Sequence, residues 1–139
     1  MPKYVFRAGR EVLARSLRGE APASDAGWWV LLFVAAADLT PSSPIDSVEE
    51  ASFSGYSRTP VPPSSQGDVT WDGDDPLIQI KGEALVWDCT ADPQTIYGWI
   101  MFDADNDLYL FGEQYDTPHV LSVGSRHTLY ASIKVSLCV

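Results

Sequence analysis

Cysteine and histidine are scarce in this chain, which has two of each among 139 residues. Cys89 and Cys138 belong to no Cys-x-x-Cys or Cys/His pattern, so the sequence predicts neither a disulfide framework nor a zinc site. We expect both to be buried thiols. His119 and His127 show no HxH or HExxH spacing, and the GxSxG, P-loop and GxGxxG motifs are missing. These absences predict a protein that is not an enzyme and that needs no cofactor.

Basic residues are also few. Nine Lys and Arg stand against nineteen Asp and Glu, which gives a net charge of −10 and argues against nucleic acid as a partner, because phosphate binding needs clustered cations. Residues 1–20 depart from this balance, with a net charge of +3 against −13 for the rest of the chain. This asymmetry indicates either contact with an acidic surface or a solvated basic helix face, and both interpretations stay open.

The chain has no long hydrophobic run. Its longest, residues 28–37, is about half the length that a membrane-spanning helix requires, so no membrane partner is expected. The amino terminus has no hydrophobic stretch followed by a cleavage site, and no signal peptide is expected. The run is bounded by Gly27 and Asp38 and suits a strand covered on both faces, although a buried helix would look similar.

The first twenty residues predict a short amphipathic helix. Within residues 7–18, Val12, Leu13 and Leu17 share one side of the helical wheel, and Gly19 is a natural stop. The arginines that lie largely elsewhere on the wheel are Arg7, Arg10, Arg15 and Arg18. We therefore divide the single domain, residues 1–139, into a basic arm or helix (1–20) and a body (21–139).

The body is rich in β signals. Residues 77–88 and 95–102 are predicted to form a hairpin, residues 103–107 a turn, and residues 108–114 a further strand. Apolar and polar residues alternate from Leu129 to Leu137, which predicts one final strand. Residues 39–66 are rich in Pro and Ser and predict a mostly extended loop. The fold class is thus all-β, a β-sandwich of jelly-roll or immunoglobulin-like kind with about 6–8 strands and one short N-terminal helix.

The spacing of three aspartates is a possible metal-binding pattern. Asp103, Asp105 and Asp107 alternate as in the opening of a calcium loop. The sixth position holds Leu108 where glycine is required, and the twelfth holds Gln114 where a bidentate Glu belongs. An ordinary hairpin turn is therefore the preferred interpretation, with these three carboxylates as weak metal candidates. The same interpretation applies to a second acidic turn at Asp72, Asp74 and Asp75.

Carboxylates and tryptophans together suggest sugar chemistry as an alternative. Nothing selects a catalytic pair among nineteen acidic residues, and tryptophans in a small β domain usually belong to the core. Trp28 or Trp29 is the expected exception, because neighbours on a strand point to opposite faces.

The order of motifs resembles a type of small protein encoded among the virion genes of tailed bacteriophages. A helix ending in glycine (REVLARSLRG) precedes an apolar strand (WWVLLF) and a glutamate-containing stretch of Phe-x-Gly-Tyr-x-Arg form (EEASFSGYSR). A Trp-bearing strand, a Tyr-Gly-aromatic strand (TIYGWIMFD), a Phe-containing strand (LYLFGEQYD) and an alternating strand follow. These short motifs span most of the chain.

The resemblance implies a structural virion protein: a decoration or cement protein on the outer phage head, a trimer or dimer that binds the major capsid protein after synthesis in the host cytoplasm. The four arginines would then dock on an acidic coat surface. Residues 53–63 would form a second, extended contact segment that includes Phe53, Tyr56 and Arg58. The alternative is a carbohydrate-binding β-sandwich module of a phage tail, fibre or baseplate.

Overall fold

The computed structural model describes residues 3–11, 28–40, 42–43, 46–61, 68–72, 75–80, 84–104, 107–130 and 133–136. These residues form an all-β, sandwich-like fold of antiparallel sheets with one short helix, as predicted. The described part of the helix, α1, covers residues 7–11. The described strands are β1 (Lys3–Val5), β2 (Trp28–Phe33), β3 (Thr59–Pro60), β4 (Asp68–Asp72), β5 (Asp75–Ile80), β6 (Ala84–Asp88), β7 (Thr95–Asp103), β8 (Leu108–Val120), β9 (Arg126–Tyr130) and β10 (Ile133–Ser136).

The main sheet has the strand order β1-β8-β7-β2-β3, and its interior strand β2 is covered on both faces. Alternate residues of β2 enter two different hydrophobic clusters, because successive side chains of a strand point to opposite faces. Trp28, Val30 and Leu32 belong to one cluster, and Leu31 and Phe33 to the other. The continuous apolar run is therefore a strand buried from both sides, which confirms its prediction.

The two clusters place the main sheet in the middle of the molecule. The first, the inner cluster, lies between this sheet and the two-stranded sheet of β6 and β9, which contributes Leu85, Trp87 and Leu129. The second, the outer cluster, covers the opposite face with Phe6 and Leu39 from outside the sheet. The inner cluster is thus the packed interior of a sandwich.

Two predicted strands are each divided between two sheets. The predicted strand 77–88 corresponds to parts of β5 and β6, and the predicted final strand corresponds to parts of β9 and β10. β6 pairs with β9, whereas β5 pairs with both β4 and β10. The described chain has ten strands, which is more than the 6–8 expected. The excess comes from these two divisions and from the additional short strands β1 and β3.

The predicted hairpin between residues 77–88 and 95–102 is wrong. β6 pairs with β9, and β7 pairs with β2 and β8. Residues Thr90 to Gln94 therefore carry the chain from one layer of the sandwich to the other. The predicted turn after Asp103 is confirmed by its described ends, since Asp103 pairs with Leu108 across the β7–β8 hairpin.

Helix α1 is anchored on β8. The Phe6 amide donates to the Leu110 carbonyl at 3.1 Å, and the Phe6 ring packs edge-on to Tyr109 with 5.2 Å between centroids. A Cβ on Gly9 would overlap the Leu110 carbonyl, so glycine permits this close approach. The predicted helix residues 12–18, with Arg15 and Arg18, lie outside the described residues.

Candidate functional site

The β8 strand contains a large bulge with three extra residues. Ile96 of β7 pairs with His119 and Gly98 pairs with Gln114, so between these pairs β7 advances two residues while β8 advances five. Three extra residues of β8 are accommodated within the stretch 115–118, which has no register partner on β7. Bulges of this kind interrupt the ladder and redirect side chains, and they are frequent beside functional sites.

An open groove of about 720 Å³ lies between this bulge and β9. Its walls combine ring, hydroxyl and charged side chains from the two strands. They are Tyr115, Asp116, Thr117, His119, Arg126, His127, Thr128 and Leu129.

His127 is the buried centre of this groove, with 5% of its surface exposed. Its Nε2 lies 3.2 Å from the Tyr115 hydroxyl. The His119 ring meets it edge-on at 5.1 Å between centroids, and the Trp87 ring lies at 6.1 Å. Three aromatic rings therefore enclose the imidazole.

The second ring nitrogen of His127 lacks a partner in the part of the chain that the structure describes. Nδ1 is buried and has no hydrogen-bond partner among the described residues. Burial, and secondarily the neighbouring His119, lower the pKa of His127 to about 4. Burial and the charge of Glu113 raise the pKa of Tyr115, so the phenol keeps its proton at neutral pH. A neutral imidazole that accepts this proton at Nε2 carries its own at Nδ1, and we assign this tautomer from the hydrogen-bond network.

The rim of the groove is charged and exposed. The Arg126 Nε donates to Asp88 Oδ1 at 2.7 Å across the β6–β9 ladder. This ion pair lowers the pKa of Asp88 and raises that of Arg126, but water screens both groups. The arrangement therefore holds one buried neutral imidazole and presents a second, His119, at the mouth.

A second polar cluster joins residues 50–58 to the edge of β2. The Arg58 guanidinium forms three hydrogen bonds of 2.8–3.2 Å with the Glu50 carboxylate, and the Tyr56 hydroxyl donates to Glu50 Oε2 at 2.6 Å. The same hydroxyl accepts from the Leu32 amide at 3.3 Å, and Arg58 lies 5.0 Å from the Phe102 centroid. We call Glu50, Tyr56 and Arg58 the clamp.

The clamp changes the interpretation of the second contact segment. Phe53 is 2% exposed and belongs to the inner cluster, so its side chain is not available to a partner. Val61 is buried, its amide donates to the Trp28 carbonyl, and β3 pairs with β2. The described part of residues 53–63 is thus not a free arm: it completes the sheet edge of its own chain. Arg58 keeps 45% of its side chain exposed, and its contact with a neighbour remains a prediction.

The arginines of the basic arm are seen in part. Arg7 and Arg10 are exposed on α1. The prediction that Trp28 or Trp29 is an exposed exception to core packing is not confirmed. Trp28 is 2% exposed and Trp29 is half-buried against the outer cluster, so neither offers an open platform.

The calcium candidates also have a defined setting. Asp103 is 9% exposed at the end of β7, Asp107 adopts a φ of 51° in the turn, and Asp105 lies outside the described residues. Gln114, the twelfth position, accepts a hydrogen bond from the Ala37 amide. Within the described ranges no three His, Cys, Asp or Glu side chains are grouped to hold a metal ion. Cys89 is a buried free thiol, as predicted, and Cys138 lies outside the described residues.

Sequence reasoning missed the His127 site, although one signal for it was present. His127 has the same strand parity as Leu129, which places an imidazole on the apolar face of β9. The sequence contains no comparable pattern that would predict the β8 bulge, which completes the groove.

No described helix is long and apolar enough to cross a membrane. The chain matches no protein-family model, and searches of curated proteins and of solved structures find no significant match.

Proposed function

We propose that this chain is a non-enzymatic structural protein of a tailed-phage particle, a decoration or cement protein that binds the major capsid protein on the head surface. The observation that carries the proposal is the exposed pair Arg7 and Arg10 on a firmly anchored helix. The rest of the chain is strongly acidic. The motif order described above supplies the phage context.

Anchoring is what makes the arginines useful for docking. Phe6 and Gly9 fix the start of α1 against the Leu110 backbone, so Arg7 and Arg10 project from a defined position. Fixed charges lose less conformational freedom on binding than charges on a loose tail. An acidic patch on the coat would then orient the acidic body away from the capsid, because like charges repel. A trimer or dimer at a symmetric position of the head belongs to the same proposal.

Charge reversal tests the docking surface. Purified particles that lack the protein are incubated with the wild type, with Arg7→Glu/Arg10→Glu, and with the control Arg126→Glu/Lys134→Glu, which changes the net charge equally on β9 and β10. We expect the helix variant to lose head occupancy and the control to retain it. Added salt should weaken wild-type binding, since exposed charges are screened. Undiminished occupancy by the helix variant contradicts the proposal.

The groove supports a second candidate, a carbohydrate-binding module of a tail, fibre or baseplate. Tyr115 and His119 supply ring faces there, and Thr117 and Thr128 supply hydroxyls. Binding to a glycan array that disappears in His119→Ala, together with no affinity for heads, would favour this candidate over the first. An array without signal would remove it.

A further inference from the structure

We propose that His127, Tyr115 and His119 form an acid-sensitive latch, which holds the β8 bulge against β9 at neutral pH and releases it in mild acid. The inference concerns the response of the groove to protons and does not depend on which partner the protein binds.

The closed latch depends on an uncharged His127. The Tyr115 hydroxyl and Nε2 of His127 are 3.2 Å apart, and the His119 ring packs on the same imidazole. Both partners come from β8, one at the start of the bulge and one at its end. Residues 115–118 have no register partner on β7, and these side-chain contacts, together with the packing of Tyr115 on the inner cluster, attach the bulge to β9.

Protonation removes the basis of these contacts. In the neutral tautomer Nδ1 already carries its hydrogen without a described acceptor. Protonation adds a hydrogen at Nε2, so this nitrogen can no longer accept from the Tyr115 hydroxyl. Arg126 already places a positive charge on the same groove. A buried charge without a partner is strongly unfavourable, so the protonated ring favours a solvent-exposed position.

Two carboxylates also border the groove. Asp88 is paired with Arg126, and Asp116 lies on the exposed side of the bulge. Burial outweighs their attraction, since the pKa of His127 in the folded protein is lowered and not raised. Trp87, on the neighbouring strand β6, is uncharged and cannot accept the Nδ1 hydrogen through its own N–H.

The pairings of β9 with β6 and of β8 with β7 define which residues can be released. β9 keeps its five-residue pairing with β6, and β7 and β8 remain paired on both sides of the bulge. Residues 115–118 are therefore the part that can move while the rest of the sandwich stays folded. Their movement would open the floor of the groove, where Trp87 and Leu129 belong to the inner cluster.

The size of the effect follows from proton linkage. With a His127 pKa of about 4 when closed and the ordinary 6.5 when open, lowering the pH from 7 to 5 multiplies the open-to-closed ratio roughly twentyfold. The measurement should stop near pH 5, because the isoelectric point of about 4.3 favours association at lower pH.

The test combines a histidine titration with hydrogen exchange. The chain has only two histidines, so NMR of the rings resolves them, and His119→Asn assigns the remaining signal to His127. We expect His127 to stay neutral down to pH 5 in the closed state. We also expect exchange at the amides of residues 115–119, corrected for intrinsic rates, to rise about tenfold or more between pH 7 and 5.

The variant His127→Gln, which cannot gain a proton in this range, should abolish that rise, while amides of β2 and β7 serve as internal references. If this variant does not fold, the wild-type titration decides alone. An ordinary pKa for His127, or an equal rise in exchange in His127→Gln, would overturn the latch.

Discussion

Replacement of Tyr56 by phenylalanine tests the clamp, the polar cluster of Glu50, Tyr56 and Arg58. The change deletes one hydroxyl and leaves the aromatic ring, which packs at 5.5 Å from Phe53. Two hydrogen bonds disappear: the 2.6 Å bond donated to Glu50 and the 3.3 Å bond accepted from the Leu32 amide.

The expected cost follows from the charges involved. A hydrogen bond to a carboxylate contributes about 1.5–3 kcal/mol, and a half-buried amide left without its acceptor adds to the loss. Arg58 still pairs with Glu50, so the carboxylate itself remains compensated. We therefore expect Tyr56→Phe to lower the free energy of unfolding by about 2–3 kcal/mol, which for a domain of this size corresponds to roughly 6–12 °C in Tm.

Urea denaturation and calorimetry measure this loss, and pH supplies an independent check. Burial by itself raises the pKa of Glu50, but the hydrogen bonds from Arg58 and Tyr56 outweigh it and the pKa is lowered. The stability that depends on ionised Glu50 is thus present above its unfolded-state pKa and lost as pH falls through the folded-state value. The cost of Tyr56→Phe should shrink in acid and in a Glu50→Gln background. A loss below about 0.5 kcal/mol at pH 7 would refute the reasoning, since that is the range of ordinary surface substitutions.

Three further outcomes follow from the structure. Gly98→Ala should destabilise the fold by about 1–3 kcal/mol in urea denaturation, because its Cβ would overlap the Glu113 carbonyl and the Phe33 ring, and a neutral result would contradict this packing. Arg126→Ala should leave Tm unchanged, because more than half of each side chain in its ion pair with Asp88 is exposed to solvent, and a clear drop would show that the pair contributes more than solvent screening allows. Millimolar calcium should also leave Tm unchanged if the β7–β8 turn is an ordinary hairpin, and a rise would revive the calcium interpretation.

Local patterns predicted the parts of the fold that depend on local burial. The WWVLLF run is apolar at every position, and β2 is in fact covered on both faces. The turn after Asp103 is likewise encoded by adjacent small and acidic residues. In such cases the sequence of one segment contains most of the physical information.

Pairing between distant segments was not encoded in this way. The Thr90 to Gln94 turn looks like a hairpin turn, yet it joins strands of different layers, because β6 finds its partner in β9. Alternation continues through residues 131–132, so it does not show that β9 and β10 pair with different strands. Register and sheet membership depend on which distant strand is available. A period-two pattern of apolar and polar residues does not predict that partner strand.

The two polar clusters illustrate the same limit. Tyr56 and Arg58 were identified through the Phe-x-Gly-Tyr-x-Arg stretch, but their common partner Glu50 shows that the described contacts of this motif are internal. His127 was readable as an imidazole on an apolar face. Its contacts with Tyr115 and His119 depend on the bulge in β8. The bulge is defined by the pairing of β8 with β7, which the sequence of β8 alone does not show.

The most direct test of the central proposal is the location of the protein in intact particles of a phage that encodes it. Mass spectrometry of purified virions combined with electron cryo-microscopy measures both its copy number and its position. The account predicts many copies at symmetric sites on the head surface, with the exposed face of α1 against the coat protein. A protein absent from the particle, or confined to the tail tip, would contradict it.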